Sequence, residues 1–213
     1  MTPLYYAPTL RMRDRDIRRA LHRTELARFW TDGESVVLDE FGICEGDNRV
    51  DIAVVNGALH GWEIKSERDT LTRLPAQMEA YSRVFDTVTI VVAESHIAQV
   101  RDMVPEWWGI LEADYDTPAS LSLRHVRAGG INEGRDSYAI AQLLWRDEAL
   151  LLLRERGVRG KDLKAMRKVL YTRLTELYTL QELADSVRSC IKARGVWHGS
   201  QKTKLRQQEP DVV

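Results

Sequence analysis

The apolar residues of the first half of the chain change from a helical to a strand-like spacing. Across residues 14–30 they recur at helical intervals, with arginines outside the apolar stripe, which predicts a helix that ends before Gly33. Shorter apolar runs follow, separated by the polar segment EGDN and by an Asn-Gly turn. They predict a meander of three strands at residues 36–44, 49–56 and 59–66.

The pattern continues with a second helix and a buried strand. Residues 75–85, PAQMEAYSRVF, predict a helix whose first turn contains Pro75, where the missing N–H is not needed. Residues 87–93, TVTIVVA, form a continuous apolar run that is typical of a strand covered on both faces. The resulting order αβββαβ indicates an α/β fold in which helices flank a mixed sheet of four or more strands.

The second half of the chain is predicted to be mostly helical. A helix is expected at 95–104, weaker strands at 107–114 and 120–126, and a boundary at the glycine-rich loop 128–136. Helices are then predicted at 137–155, 161–178 and 180–194, the last capped by Thr179 and stopped by Gly195. We therefore predict a core at 1–127, a helical, basic appendage or lid at 136–195, and a flexible polar tail at 196–213.

The composition is that of an ordinary water-soluble globular protein, with 44% hydrophobic and 30% charged residues. No apolar run approaches the roughly 18 residues that a membrane span requires. The first twenty residues also lack the apolar core of a signal peptide. We therefore expect a cytoplasmic protein with no membrane partner. Cys44 and Cys190 are far apart and lack metal-ligand spacing, which predicts two unpaired thiols.

The net charge of −1 hides a marked asymmetry along the chain. Residues 154–206 contain 14 Lys and Arg against 5 Asp and Glu, whereas residues 1–153 contain 17 against 25. A basic segment on an acidic body suggests either a polyanionic partner or an internal docking surface, and charge alone does not choose between them.

Three charged side chains stand out in the predicted hairpin of residues 49–66. Side chains alternate across a sheet, so Glu63 and Lys65 share one face of their strand. Asp51 interrupts the apolar residues of the preceding strand in the same manner. If the two strands pair, the opposite face of the hairpin is apolar and buried, and it contains Val50, Ile52, Trp62 and Ile64.

The register of this hairpin decides whether the three side chains meet. A two-residue turn would place Asp51 opposite Trp62, which puts the acid among the apolar side chains. We therefore predict a three-residue connection, Asn56 to Ala58, that places Asp51 opposite Glu63. Gly57 is then expected to adopt positive φ, which costs a glycine nothing.

Two carboxylates and an ammonium at this spacing suit phosphodiester hydrolysis. Carboxylate oxygens are the ligands that Mg²⁺ prefers, and a neighbouring lysine can orient an attacking water and stabilise charge at phosphorus. The alternative is an ordinary cross-strand ion pair between Asp51 and Lys65 on a solvated face.

The sequence resembles the PD-(D/E)XK nuclease superfamily over roughly residues 14–115. RVDIAVV contains the aspartate and HGWEIKS the Glu-x-Lys element, both in the expected αβββαβ order. Gln77 and Tyr81, four residues apart on one helix face, match the Q-x-x-x-Y element of the RecB-type branch. The residue before Asp51 is Val50 where the family often has proline. The resemblance implies a restriction-endonuclease-like core and nuclease activity that depends on Mg²⁺ or Mn²⁺.

The resemblance also implies roles for individual residues. Asp51 and Glu63 would bind the metal ion, the carbonyl of Ile64 would add a third oxygen, and Lys65 would position the water. Gln77 and Tyr81 would contact a phosphate or the metal-bound water. A further acid often completes such a site, and the candidates are Glu40, which we favour, and Glu25.

Basic residues outside the hairpin are candidate contacts to nucleic acid. Arg73 lies four residues after Asp69, so it either forms a local ion pair or contacts a phosphate. In the helical segment, the candidate phosphate contacts are Arg167, Lys168, Lys192 and Arg194.

We therefore expect a metal-dependent nuclease whose partner is nucleic acid, most simply DNA. One alternative is a non-catalytic regulator that binds DNA through the helices at 161–178 and 180–194, which could be read as helix-turn-helix. A second is an interaction module that kept the nuclease fold without the activity, although intact Asp51, Glu63 and Lys65 argue against it.

Overall fold

The structure is a computed structural model that describes residues 12–117 and 120–206, with side chains described as far as Arg194. The helices are α1 (Asp14–Arg23), α2 (Leu74–Ser82), α3 (Ile97–Met103), α4 (Ser137–Ala141), α5 (Arg146–Glu155), α6 (Arg167–Leu177) and α7 (Leu180–Arg206). The strands are β1 (Val36–Ile43), β2 (Asn48–Val55), β3 (Leu59–Lys65), β4 (Thr87–Ala93), β5 (Gly109–Thr117) and β6 (Ser120–Arg127).

The strands form one mixed sheet in the order β1-β2-β3-β4-β5-β6. Neighbouring strands are antiparallel from β1 to β3, parallel from β3 to β5, and antiparallel between β5 and β6. The two parallel connections pass through α2 and α3, because a parallel crossover needs a connection long enough to return along the sheet. The predicted α/β fold, with helices flanking a mixed sheet and a helical C-terminal segment, is confirmed.

Each face of the sheet is covered by a separate apolar cluster. On one face, α1 contributes Ile17 and Leu21, which pack with Ile52, Trp62 and other strand residues. On the other face, residues of α2 and of α4 to α7 form a larger cluster with side chains from β2, β3, β4 and β5. Burial on both faces explains why β4 is almost continuously apolar.

The helices after residue 136 share the core of the sheet. Leu183, Val187 and Ile191 of α7 lie in the same buried cluster as strand residues. Polar contacts also join α7 to the sheet, since the Asp86 carboxylate accepts the Leu59 N–H at 2.7 Å and lies 3.7 Å from the Arg188 guanidinium. The division of the chain into a core and an appendage stays a prediction.

The first helix is shorter than its apolar pattern predicts. α1 ends at Arg23, and a 3₁₀ helix, Ala27–Trp30, completes the predicted 14–30 segment. Thr24 leaves the helical conformation with φ −118° and ψ −89°, and its hydroxyl donates to the Ala20 carbonyl at 2.9 Å. Such back-bonding by threonine competes with helix propagation, and a pattern of apolar positions alone does not reveal it.

The C-terminal helices also differ from the predicted boundaries. The predicted 137–155 helix is split between α4 and α5 because Trp145 is extended and its N–H donates to the Glu148 carboxylate at 2.7 Å, which caps α5. The predicted 161–178 helix starts as a 3₁₀ helix, Gly160–Lys164, before α6.

Thr179 caps α7 as predicted, with the Glu182 N–H donating to its hydroxyl at 3.3 Å. The predicted stop at Gly195 is wrong, because α7 continues to Arg206. Glycine inside a helix costs only about 1 kcal/mol relative to alanine, too little to end a helix by itself. The expected tail at 196–213 is therefore helical up to Arg206, and residues 207–213 lie outside the described residues.

In the part of the chain that the structure describes, no helix is long and apolar enough to cross a membrane. Cys44 and Cys190 are both half-buried free thiols, as expected from their spacing.

Candidate active site

The β2–β3 hairpin has the register that brings the predicted site together. Val55 pairs with Leu59 and Ile52 pairs with Trp62, and Asp51 and Glu63 are the next residues of the two strands beyond this last pair. The connection is the three residues Asn56 to Ala58, as predicted.

The expected positive φ at Gly57 is wrong, because Gly57 is not among the glycines in the left-handed region. The side chain of Asn56 makes the turn instead. Its Oδ1 accepts the Ala58 N–H at 2.9 Å, while its own N–H donates to the Ala58 carbonyl at 3.0 Å. An asparagine that closes a turn in this manner removes the need for a left-handed residue.

The alternation of faces along β2 breaks at Asp51. Ile52 packs with Trp62 and Ile64 on the α1 side as predicted, but Val50 packs in the larger cluster on the opposite face. The expectation that Val50 lies behind the site with these residues is therefore wrong. Opposite Asp51 in the β1–β2 register lies Glu40, whose φ of 55° interrupts the regular strand conformation. A local irregularity of this kind changes the direction of side chains along a strand.

Glu63 and Lys65 form a buried ion pair. Glu63 is 2% exposed and Lys65 is 4% exposed, and Lys65 Nζ lies 2.5 Å from Glu63 Oε1. A surface cross-strand pair would be solvated, so this burial does not fit the ordinary alternative weighed above. Buried charges cost free energy unless they are paired and hydrogen-bonded, and that cost is a feature of functional sites.

Helix α2 brings two more polar groups onto Glu63. Gln77 Nε2 donates to Glu63 Oε1 at 2.6 Å, and the Tyr81 hydroxyl lies 2.7 Å from Glu63 Oε2 and 2.8 Å from the Arg49 carbonyl. Burial, and next the Glu63 carboxylate, raise the pKa of Tyr81 above its ordinary value, so the phenol remains a hydrogen-bond donor. Both residues of the predicted Q-x-x-x-Y element therefore contact Glu63 directly.

Gln77 retains an unused acceptor in the site. Its Oε1 is buried and has no hydrogen-bond partner among the described residues. A buried amide oxygen without a donor costs roughly 1–3 kcal/mol, and a water molecule on a bound ion is one donor that would satisfy it.

Asp51 lies beside this cluster with a strongly altered acidity. Its Oδ2 accepts the Ile64 N–H at 2.7 Å. Burial and the nearby Glu63 carboxylate raise the pKa of Asp51 to about 7. Two carboxylates that disfavour each other's charge form a site that a divalent cation would stabilise.

Glu40, the favoured additional acid, lies next to Asp51, and Arg18 connects the two. Arg18 Nη2 lies 2.9 Å from Glu40 Oε1 and 3.2 Å from Asp51 Oδ1. Glu25 instead contacts His125 on β6 at 3.1 Å, at the far edge of the sheet. The geometry therefore supports Glu40 over Glu25 as the additional acid.

Asp51, Glu63, Lys65, Gln77 and Glu40 line one cavity of about 560 Å³, and Ile64 belongs to its wall. The wall contains six carboxylates, Asp14, Glu40, Asp47, Asp51, Glu63 and Asp69, and four cations, Arg18, Arg49, Lys65 and Arg73. The excess of carboxylates attracts cations and repels phosphate, so a phosphodiester would need bound cations to enter.

Arg73 lines the cavity, as its proposed phosphate contact requires. The nearby Asp69 carboxylate accepts the Ser66 N–H at 2.8 Å and the Ser66 hydroxyl at 2.6 Å. Asp69 therefore stabilises the turn after β3, and the local ion pair with Arg73 is not among the contacts it makes.

The donor set fits Mg²⁺ or Mn²⁺ in type. Asp51, Glu63 and the Ile64 carbonyl offer hard oxygen atoms, and Mg²⁺ commonly uses one or two carboxylates while it keeps several waters. Among the described residues, no three His, Cys, Asp or Glu side chains are grouped as a ready-made metal cage. A site of this composition would therefore depend on water and substrate oxygens to complete the coordination of the ion.

Two of the predicted nucleic-acid contacts on the helical segment are accessible. Arg167 and Lys168 are exposed in the first turn of α6, and Lys192 on α7 is half-buried. None of the three lines the cavity that contains Asp51 and Glu63.

Arg194 has a different role from the predicted one. Its guanidinium lies 2.6 Å from Glu148 Oε2, donates to the Leu143 carbonyl at 2.9 Å and stacks on the Trp145 ring at 4.4 Å from the centroid. We therefore correct its assignment from a phosphate contact to an intramolecular ion pair that joins α7 to α5.

Arg18 is the residue of the site that the sequence did not single out. α1 carries several arginines, and the choice among them depends on the packing of Ile17 and Leu21 against the sheet. The one feature of the sequence that could have pointed to Arg18 is Asp14, four residues earlier. Arg18 Nε lies 3.3 Å from Asp14 Oδ1.

Comparison with known proteins identifies a family. The profile of the family described as Bacteriophage P4 protein cII matches residues 13–209. The chain belongs to this family. Protein cII of Enterobacteria phage P4 is 26% identical over 125 residues, which cover 59% of this chain and 47% of that protein. The chain thus spans about half the length of the curated relative it matches.

A solved structure of a protein of unknown function from Silicibacter pomeroyi is also similar. It has 22% sequence identity and a TM-score of 0.40, and the match covers 74% of this chain and 98% of that one. The descriptions of these matches name no enzymatic activity.

Proposed function

We propose that this protein is a divalent-metal-dependent nuclease that hydrolyses phosphodiester bonds, with DNA as the substrate. The observation that carries the proposal is the group formed by the buried Glu63 and Lys65 and the half-buried Asp51, with Gln77 and Tyr81 both contacting Glu63. The resemblance to PD-(D/E)XK nucleases in the same five residues supports it.

The proposed chemistry assigns a task to each group. Asp51, Glu63 and the Ile64 carbonyl would hold the ion. When bound, Mg²⁺ or Mn²⁺ would polarise a phosphoryl oxygen and lower the pKa of a coordinated water. In the proposed hydrolysis a water molecule would form the new P–O bond while the ester P–O bond breaks. The proton of that water would pass to solvent, and the departing ester oxygen would take up a proton from solvent.

Lys65 would act on the water and on the charge that develops at phosphorus. Its ammonium group, held 2.5 Å from Glu63 Oε1, is fixed in a buried position where electrostatic interactions are strong. Gln77, whose Oε1 has no donor among the described residues, would orient the water by accepting its hydrogen. Tyr81 would keep Glu63 in place through its hydroxyl.

A second candidate is a DNA-binding regulator that uses α6 and α7. The two helices are separated only by Tyr178 and Thr179, and the exposed Arg167 and Lys168 lie at the start of α6. Against it, one side of α7 is buried on the sheet core and its exposed residues include Glu182 and Asp185, which would repel phosphate. An inactive nuclease-fold module remains the third candidate.

The test is to incubate the protein with linear, circular and single-stranded DNA and with RNA, in Mg²⁺, Mn²⁺ or EDTA. We expect cleavage of DNA that requires the divalent ion and falls on the order of 10²-fold in Lys65→Ala, because one group positioned to stabilise developing charge contributes about that much. The matched control is Lys161→Ala, an exposed lysine that does not line the cavity. Binding without cleavage under every condition would favour the regulator.

A further inference from the structure

Arg18 occupies the position between two candidate metal ligands. Its Nη2 contacts Glu40 Oε1 at 2.9 Å and Asp51 Oδ1 at 3.2 Å, and its Nη1 donates to the Asp51 carbonyl at 2.7 Å. A guanidinium thus makes contacts with carboxylate oxygens that a divalent ion would also use. Only 19% of the Arg18 side chain and 22% of the Asp51 side chain are exposed, whereas half of the Glu40 side chain, 50%, is in contact with solvent.

The same guanidinium has a second set of partners. Its Nε lies 3.3 Å from Asp14 Oδ1, and its Nη1 lies 3.4 Å from Asp39 Oδ1. Asp14 is one turn away on α1, and Asp39 precedes Glu40 on β1. Arg18 can therefore give up Asp51 and Glu40 and still remain paired.

The position of Arg18 is fixed by the fold. Ile17 and Leu21 are fully buried against the sheet, which holds α1 in place and directs the intervening polar face of the helix toward β1 and β2. The Arg18 head is thus already placed at the site and needs no large rearrangement.

We propose that Arg18 sets the metal affinity of the site: it holds Glu40 and Asp51 together as an internal cation, and an incoming divalent ion must displace it from them. This inference rests on the proposed function, because it takes Asp51 and Glu40 to be metal ligands. It makes Arg18 a determinant of how much free divalent ion the protein needs. After displacement, the guanidinium would remain paired with Asp14, which lines the cavity, and with Asp39 on β1.

Competition predicts the direction of a metal-binding experiment. In Arg18→Gln, a unit positive charge is removed from within a few ångströms of the ion, so Mn²⁺ should bind roughly tenfold more tightly or better. A residue that only supports the ligands would give the opposite sign, since its loss would leave Asp51 and Glu40 misplaced and weaken binding. Mn²⁺ affinity is measured on the full chain by calorimetric titration, with no nucleic acid present.

Arg49→Gln is the matched control. Arg49 lines the same cavity and lies 3.5 Å from Glu40 Oε2, but its side chain is 64% exposed and it makes no side-chain contact with Asp51. Arg49→Gln removes one positive charge but leaves the contacts of Arg18 with Glu40 and Asp51 in place. The Mn²⁺ affinity should therefore change less than about threefold, as expected for an exposed ion pair. Thermal melts give a second comparison of the two variants. The rise in Tm on going from EDTA to Mg²⁺ should be larger for Arg18→Gln than for Arg49→Gln.

The outcomes separate this inference from the proposed function. Tighter Mn²⁺ binding in Arg18→Gln but not in Arg49→Gln supports the inference, whether or not DNA is cleaved. Weaker or unchanged binding in Arg18→Gln, equal gains in both variants, or no binding in any variant overturns it. Wild-type binding that persists unchanged in Asp51→Asn would instead remove the metal site on which the proposed function depends.

Discussion

Replacing Glu63 by Gln is expected to lower metal-dependent DNA cleavage on the order of 10³-fold. The change would remove one of the two proposed carboxylate ligands of the ion. A bound ion in this role would supply several kcal/mol of transition-state stabilisation, and about 1.4 kcal/mol corresponds to each factor of ten in rate. Initial cleavage rates at saturating Mg²⁺ measure the effect. DNA affinity, measured in Ca²⁺ or EDTA, should be retained or improved because a charge that repels phosphate has been lost.

The hydrogen bonds around Glu63 can be kept in this variant. An amide oxygen can still accept from Lys65 and Gln77 in place of Glu63 Oε1. The new amide nitrogen can donate to the Tyr81 hydroxyl, which then directs its own hydrogen to the Arg49 carbonyl, 2.8 Å away. Lys65 nevertheless loses its buried charged partner, which costs about 3–5 kcal/mol of stability. Circular dichroism with a thermal melt therefore has to show that the variant is folded at the temperature of the cleavage assay.

Matched carboxylates elsewhere serve as controls. Glu40→Gln should lower cleavage by an intermediate amount, about tenfold, because its proposed role is additional and half its side chain, 50%, is exposed. Glu25→Gln should leave cleavage unchanged, since Glu25 contacts His125 at the far edge of the sheet. Full activity in Glu63→Gln would show that the assignment of the site is wrong.

The sequence predicted the parts of the fold that depend on apolar spacing. The alternation of apolar and polar residues predicted the hairpin register from Ile52–Trp62 to Val55–Leu59, although it failed at Val50. The continuous apolar run of β4 likewise predicted a strand with both faces covered. In both cases the residues that are apolar in the sequence are mostly those that are buried in the structure.

Features that depend on single local contacts were not predictable in the same manner. The Asn56 side chain replaces a left-handed Gly57, and the Thr24 hydroxyl ends α1 early. Arg194 was classed with free cations although Glu148, 46 positions earlier in the chain, holds it. A sequence pattern shows which residues are charged, whereas their partners depend on how distant segments pack.

The candidate site likewise contains residues that could be predicted from spacing and one residue that could not. Asp51, Glu63 and Lys65 could be found because their order and spacing match known chemistry. Arg18 could not be found in this way, because its importance arises from β1 and β2 lying beside α1. The left-handed φ of 55° at Glu40 is a further feature of the fold. A glutamate in this conformation costs of order 1 kcal/mol or more, and such strain is concentrated at functional sites.

Asp51→Asn is expected to stabilise the metal-free protein relative to wild type as the pH rises. The folded-state pKa of Asp51 is raised, by burial and by Glu63, from its ordinary value of 3.8 to about 7. The neutral carboxyl therefore favours folding, and this contribution is fully present below about pH 4 and lost as the pH rises through about 7. Asparagine is never ionised, so the variant does not lose stability in this manner as the pH rises. The free energy of unfolding of the variant minus that of wild type should increase by about 2–4 kcal/mol between pH 4 and pH 8.

Urea denaturation of both proteins in EDTA at several pH values measures this difference. Asp39→Asn is a control of opposite sign, because the hydrogen bond from His22 lowers the pKa of Asp39, so its ionised form favours folding and its contribution is lost as the pH falls. Added Mg²⁺ should reduce the advantage of Asp51→Asn at pH 8, since the ion binds the ionised carboxylate of wild type and stabilises the folded state. If the difference in the free energy of unfolding between Asp51→Asn and wild type did not change with pH, burial and Glu63 would not raise the pKa of Asp51. The electrostatic basis for metal binding at Asp51 would then be lost.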